Sequence, residues 1–99
     1  MKATATLNLK EVPATLRVNG TIMTYSENDK VEIKKAVPQG INPTILLLDL
    51  KIIEKSGPMK GTDKPFQYES SEKGVEKFKQ VTILQETKVL ITVNVEVMG

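Results

Sequence analysis

The chain has 99 residues, 39% hydrophobic and 26% charged, with a formal net charge of +2. This predicts one globular domain over residues 1–99 with a single core, and too little basic excess for a nucleic-acid partner. Cys, His and Trp are absent, which excludes disulfides, thiol nucleophiles and thiolate zinc sites and removes the commonest general base.

Met1–Leu7 alternates in polarity and does not form the apolar block of a signal peptide. No run approaches the ~20 apolar residues of a membrane helix. A cytoplasmic chain and one trimmed of a leader both fit, so the compartment is left open.

Period-two alternation places Ala3, Ala5, Leu7 and Leu9 on one face of a first strand. Pro13 breaks that strand, having no N–H for a ladder. A second strand runs over Thr15–Thr24, with Leu16, Val18, Gly20 and Ile22 sharing a face. Gly20 in its middle predicts a bulge or a close backbone approach. Glu27-Asn28-Asp29 is a turn, since Asn and Asp bond to their own backbone.

The third strand is Lys30–Val37, followed by a Pro38–Pro43 loop with two prolines and Gly40. Thr44–Glu54 is nearly unbroken apolar sequence interrupted by Asp49 and Lys51, which predicts a central strand covered on both faces over its first half. Lys55–Pro65 reads as the longest loop and Phe66-Gln67-Tyr68 as a short edge strand. Glu76–Leu84 is the next strand, with Val75–Phe78 able to begin as a helical turn. A hairpin over Gln85–Lys88 leads to the last strand, where Val89, Ile91, Val93, Val95 and Val97 face one way and Leu90 breaks the pattern. Short strands at this spacing predict an all-β fold, a two-sheet antiparallel β-sandwich of about seven strands, with the immunoglobulin class as one form of it. Antiparallel pairing is expected because no helix-sized crossover is present.

Chemistry offers few candidates. Asp49 is the one acid inside the apolar run and the candidate for a carboxylate-dependent hydrolase, although an exposed or paired structural acid fits it better. Glu27, Asn28 and Asp29 carry oxygen ligands but lack the spacing of a calcium loop. Lys55, Lys60 and Lys64 lie near Phe66 and Tyr68, a pattern better read as a solvated loop than as a nucleic-acid groove. Asn19-Gly20-Thr21 matches the glycosylation sequon. No catalytic residue, metal or cofactor is assigned.

The Pro38–Pro43 loop has two readings. Stiffened by proline, it can present Gln39, Ile41 and Asn42 to a protein partner, because preorganisation cuts the entropic cost of binding. Alternatively, and with more weight, Ile41 tucks under the sheet as a plug. Asn42-Pro43-Thr44 resembles the start of the Asn-Pro-Thr-Thr-Gly loop of chagasin-type cysteine-protease inhibitors, β-sandwich proteins of about this size, which implies a loop entering a protease cleft. Ile45 and Leu46 stand where Thr and Gly would follow, the other loop motifs are missing, and no family is assigned. The expected function is a non-enzymatic binding or structural module acting through end loops or a sheet edge, with Phe66–Tyr68 as the candidate edge. The alternative is a protease-inhibitor-like loop binder.

Overall fold

A computed structural model describes residues 1–99. The strands are β1 (Lys2–Asn8), β2 (Thr15–Ser26), β3 (Lys30–Lys35), β4 (Ile45–Ile53), β5 (Met59–Ser70), β6 (Gln80–Gln85) and β7 (Lys88–Met98). One 3-10 turn, Val75–Lys77, precedes β6. No helix is long and apolar enough to cross a membrane.

The fold is all-β, and the strands form one seven-stranded sheet in the order β3-β4-β6-β7-β1-β2-β5, nearly closed into a barrel. The end strands β3 and β5 approach within 8 Å between Cα atoms but share no backbone hydrogen bond. Continuity comes from β7. Its first part pairs with β6 as far as Asn94, and Val95–Met98 pairs with β1.

The expected antiparallel pairing is corrected at two places, since β1 lies parallel to β7 and β4 parallel to β6. Parallel neighbours need a connection of a dozen or more residues. Between β4 and β6 that connection is β5 and the 3-10 turn, so no helix is required.

Alternation builds the core as the sequence predicts. Ala5 and Leu7 of β1, Leu16 and Val18 of β2, Leu46, Leu48 and Leu50 of β4, Phe66 of β5, and Val81 and Ile83 of β6 are buried together. Burying each large aliphatic side chain contributes about 1.5–3 kcal/mol. β4 is central, between β3 and β6.

Three residues expected on buried faces are exposed: Leu9, Val89 and Val97. Leu9 lies past the end of β1, and Val97 is in the final stretch of β7, where β6 no longer flanks it. Val89 follows from a bulge. Ile91 pairs with Ile83 and Val89 with Leu84, so Leu90 has no partner. The extra residue reverses the alternation, and Val89 takes the outward side of Leu84.

The region read as a loop over Lys55–Pro65 becomes strand from Met59 onward, because β2 supplies a partner along its whole length, from Leu16↔Ser70 to Ser26↔Met59. β5 is an edge strand as expected, but a 12-residue one. Its edge position accommodates Pro65, which cannot donate to a neighbour. Gly20 marks a close approach. It lies between Ala3 and Phe66, and a Cβ there would meet the Lys2 carbonyl oxygen and stand 2.5 Å from the Phe66 ring.

Candidate functional site

The β3–β4 connection, residues 36–44, is held from inside by its own polar side chains. Ala36 N donates to Leu47 O at 3.0 Å, closing the loop onto β4. The Gln39 amide Nε2 donates to Ala36 O at 2.7 Å and Leu47 O at 2.8 Å, and Leu47 N donates to Gln39 Oε1 at 2.9 Å. Asn42 organises the far end. Its Oδ1 accepts from Thr44 N at 3.0 Å and Thr44 Oγ1 at 2.8 Å, and its carbonyl accepts from Ile45 N at 3.3 Å. This is the local turn that an Asn side chain makes with the backbone two residues on.

Packing follows from that bracing. Ala36 is buried, and Gly40 lies over the Leu47 side chain, where a Cβ would stand 3.2 Å from Cδ1. The outer face of β4 is thereby covered at Leu47, as its unbroken apolar run predicts. The chain turns inward at Ala36, while Val37, Gly40 and Ile41 lie in solvent. Val37 is 90% exposed and Ile41 104%. The reading of Ile41 as a buried plug is therefore corrected, since Ala36, Ala14 and Val75 are the small apolar residues buried outside the strands.

Of the three residues named from sequence, Gln39 spends its amide on the loop, Asn42 spends its Oδ1 there, and Ile41 holds its whole side chain in solvent. Val37 joins it and was not singled out. The signal was present, since Val37 precedes Pro38 in a turn, as Ile41 precedes Asn42-Pro43.

The other candidates resolve as follows. Asp49 is half-buried and stands in register with Lys34, while Glu32 stands in register with Lys51. All four line a cleft of about 500 Å³ between β3 and β5, with Pro65, Phe66 and Gln67 on its far wall. Asp29 is buried and serves the turn, its Oδ2 accepting from Ser26 N at 3.1 Å and its Oδ1 from Lys55 N at 3.0 Å. No group of three or more acidic side chains is placed to hold a metal. Lys60 pairs with the Glu27 carboxylate, and Lys64 donates to the Glu27 carbonyl. Asn19 is exposed on β2.

One charged cluster sits on the outer face of β2. The Arg17 guanidinium donates to both carboxylate oxygens of Glu11 and to Glu69. That hydrogen bonding holds the Glu11 carboxyl below its ordinary value of 4.5 and raises Arg17.

Comparison with protein-family models, curated proteins and solved structures finds no match.

Proposed function

We propose that this chain is a non-enzymatic binding module that engages a protein partner through the 36–44 loop. Its fold would then be a β-sandwich of immunoglobulin type, with β7 shared between two faces and the loop at one end. The observation that carries the reading is Ile41, fully in water on a loop braced by the Gln39 amide and by Asn42 Oδ1. A shape fixed before binding leaves little entropy to lose, and an apolar side chain held in solvent gains when a partner covers it. Val37 extends the same contact.

The same observation favours the more particular reading of a loop that enters a protease cleft. The hydrolase reading has two acids on one cleft, Glu32 and Asp49, diagonal neighbours across β3 and β4. Each has a lysine directly opposite, however, and opposite charges in register serve the sheet.

The test compares the wild-type chain, Ile41→Asp/Val37→Asp, and a Val12→Asp control as bait, with bound proteins quantified by mass spectrometry. Inhibition of a papain-type cysteine protease is measured beside it. Partners or inhibition lost on substitution in the loop but kept in the control support the reading. Identical binding by all three baits sinks it.

A further inference from the structure

The barrel does not close. β3 and β5 are the two ends of the sheet and face each other without a backbone hydrogen bond. Following the pairings across the sheet, these two strands run in the same direction.

Successive residues of a strand bond to alternate sides, so the groups left over on each wall can be assigned. Ala36 N donates to Leu47 O, and the β3–β4 register then turns Lys34 and Glu32 toward β4. The N–H and C=O of Ile33 and Val31 therefore face the seam. On the other wall, Leu9 N donates to Met98 O, which turns Leu7 and Ala5 toward β7 and Thr6 and Thr4 toward β2. Arg17 and Asn19 of β2 answer Thr6 and Thr4, while Val18 and Gly20 answer Tyr68 and Phe66 of β5. That leaves the N–H and C=O of Gln67 and the carbonyl of Pro65 facing the seam. Pro65 has no N–H to give β3, which withholds a bond from direct closure.

Between these walls lies the cleft of about 500 Å³. Its depth is apolar, with Val31, Ile33 and Phe66 packed into the core. Its rim carries Glu32, Lys34, Asp49 and Lys51, none of which takes part in an ion pair.

We propose that this seam takes an extended peptide segment of a protein partner as an eighth strand, antiparallel to both walls. Antiparallel pairing is the more stable kind per residue, and strand addition is a recurring mode of peptide recognition. The pleat fits both walls at once. Residues whose backbone groups face Val31 and Ile33 lie on the inner side, beside Phe66. Their neighbours lie on the outer side, with backbone groups facing Gln67 and Pro65. Charge selects the sequence. The segment meets Lys34, Ile33, Glu32, Val31 and Lys30 in turn, so its complement reads acidic, apolar, basic, apolar, acidic. Opposite charges directly across a strand pair are favourable, and like charges are not. Paired strands lie about 4.8 Å apart, so the insertion holds β3 and β5 about 9.6 Å apart. The seam therefore widens where the two strands now come within 8 Å. The site lies between strands and does not rest on the function of the 36–44 loop.

Fluorescence anisotropy of labelled Glu-Val-Lys-Val-Glu, capped at both ends, should show saturable binding to the wild-type chain below about 1 mM. The charge-exchanged peptide Lys-Val-Glu-Val-Lys should bind at least about tenfold more weakly. Glu32→Lys/Lys34→Glu should reverse that preference. Both residues are exposed, so far-UV circular dichroism should be unchanged. Methylating the backbone nitrogen of the first valine, which faces Ile33, should abolish binding without altering a side chain. Ile41→Asp/Val37→Asp should bind the peptide as the wild type does. The proposal is overturned by a wild-type chain that binds neither peptide or both equally, or by a double variant that keeps the original preference. Binding indifferent to the N-methyl group, or lost in the loop variant, overturns it too. So does self-association without peptide binding, which assigns the seam to a second copy, whose Glu32-Ile33-Lys34 has the same acidic, apolar, basic order.

Discussion

The Gln39 side chain meets the Leu47 backbone in a reciprocal pair, Nε2 donating to the carbonyl at 2.8 Å and the Leu47 N–H donating back to Oε1 at 2.9 Å. The amide thus does what a neighbouring strand would do just past the last β3–β4 pair, Lys35↔Leu48. Leu47's peptide groups are satisfied, and the loop is tied to β4 by a side chain.

Gln39→Ala removes three hydrogen bonds and leaves part-buried backbone groups unpaired. Each such bond is worth about 0.5–1.5 kcal/mol, and about 4–8 °C in Tm follows per kcal/mol for a domain this small. Thermal unfolding followed by circular dichroism should show a drop well outside that of Ile41→Ala, which removes only exposed surface and should change stability by no more than about 0.5 kcal/mol. Gln39→Glu should not rescue it, because a carboxylate can accept from Leu47 N but cannot donate to the Ala36 and Leu47 carbonyls.

Gly20→Ala should be among the most damaging single-methyl additions to this chain. The new Cβ meets the Lys2 carbonyl and the Phe66 ring at once, and neither is a flexible side-chain tip. Overpacking of this kind costs about 1–3 kcal/mol or more. A combined Gly20→Ala/Phe66→Leu variant should recover part of the lost Tm if the ring is the obstacle.

The β6–β7 hairpin turns on Glu86 and Thr87, both at positive φ, 49° and 68°. Two such residues make the turn preferred by two-residue hairpins, but glycine and asparagine suit it far better than Glu or a β-branched Thr. Glu86→Asn/Thr87→Gly should raise stability by about 1 kcal/mol or more, read as a higher Tm. An unchanged or lower Tm would mean that the turn relaxes to another conformation in solution.

Glu11 makes stability fall in acid. Its folded-state pKa is depressed by the Arg17 hydrogen bonds. The stabilisation is therefore present above the ordinary value of 4.5 and is lost as pH falls through the lowered folded value. Denaturant midpoints measured from neutral to acidic pH should decline through that window. In Glu11→Gln the decline should be shallower, with the midpoint at neutral pH already reduced.

Local pattern reached most of the strands. The alternation of Ala5 and Leu7, of Leu16 and Val18, and of Ile91 and Val93 predicted both strand and buried face, because side chains on a strand point to opposite sides in turn. The apolar run of β4 predicted a central strand, and Asp29 was legible as a turn residue. Leu90 was visible as a break in period, although only its missing partner identified it as a bulge. The strand content of Met59–Pro65 was not legible, since Gly61 and Pro65 argue for a loop and β2 outweighs them by pairing along its full length.

For the candidate site, the residue types and the stiff loop could be read from sequence, and the roles could not. Gln39 and Asn42 look like contact residues until Leu47 and Thr44 are found within their reach, and Ile41 looks like core until Ala36 is seen to take the inward place. By itself, the sequence determined that this is an all-β chain, without His or Cys chemistry, with alternating strands around an aliphatic core. Strand order, the two parallel pairs, the join through β7 and the outward direction of Ile41 were decided by tertiary structure. Each depends on which distant segment satisfies a given N–H or C=O, and periodicity along one strand carries no record of its partner.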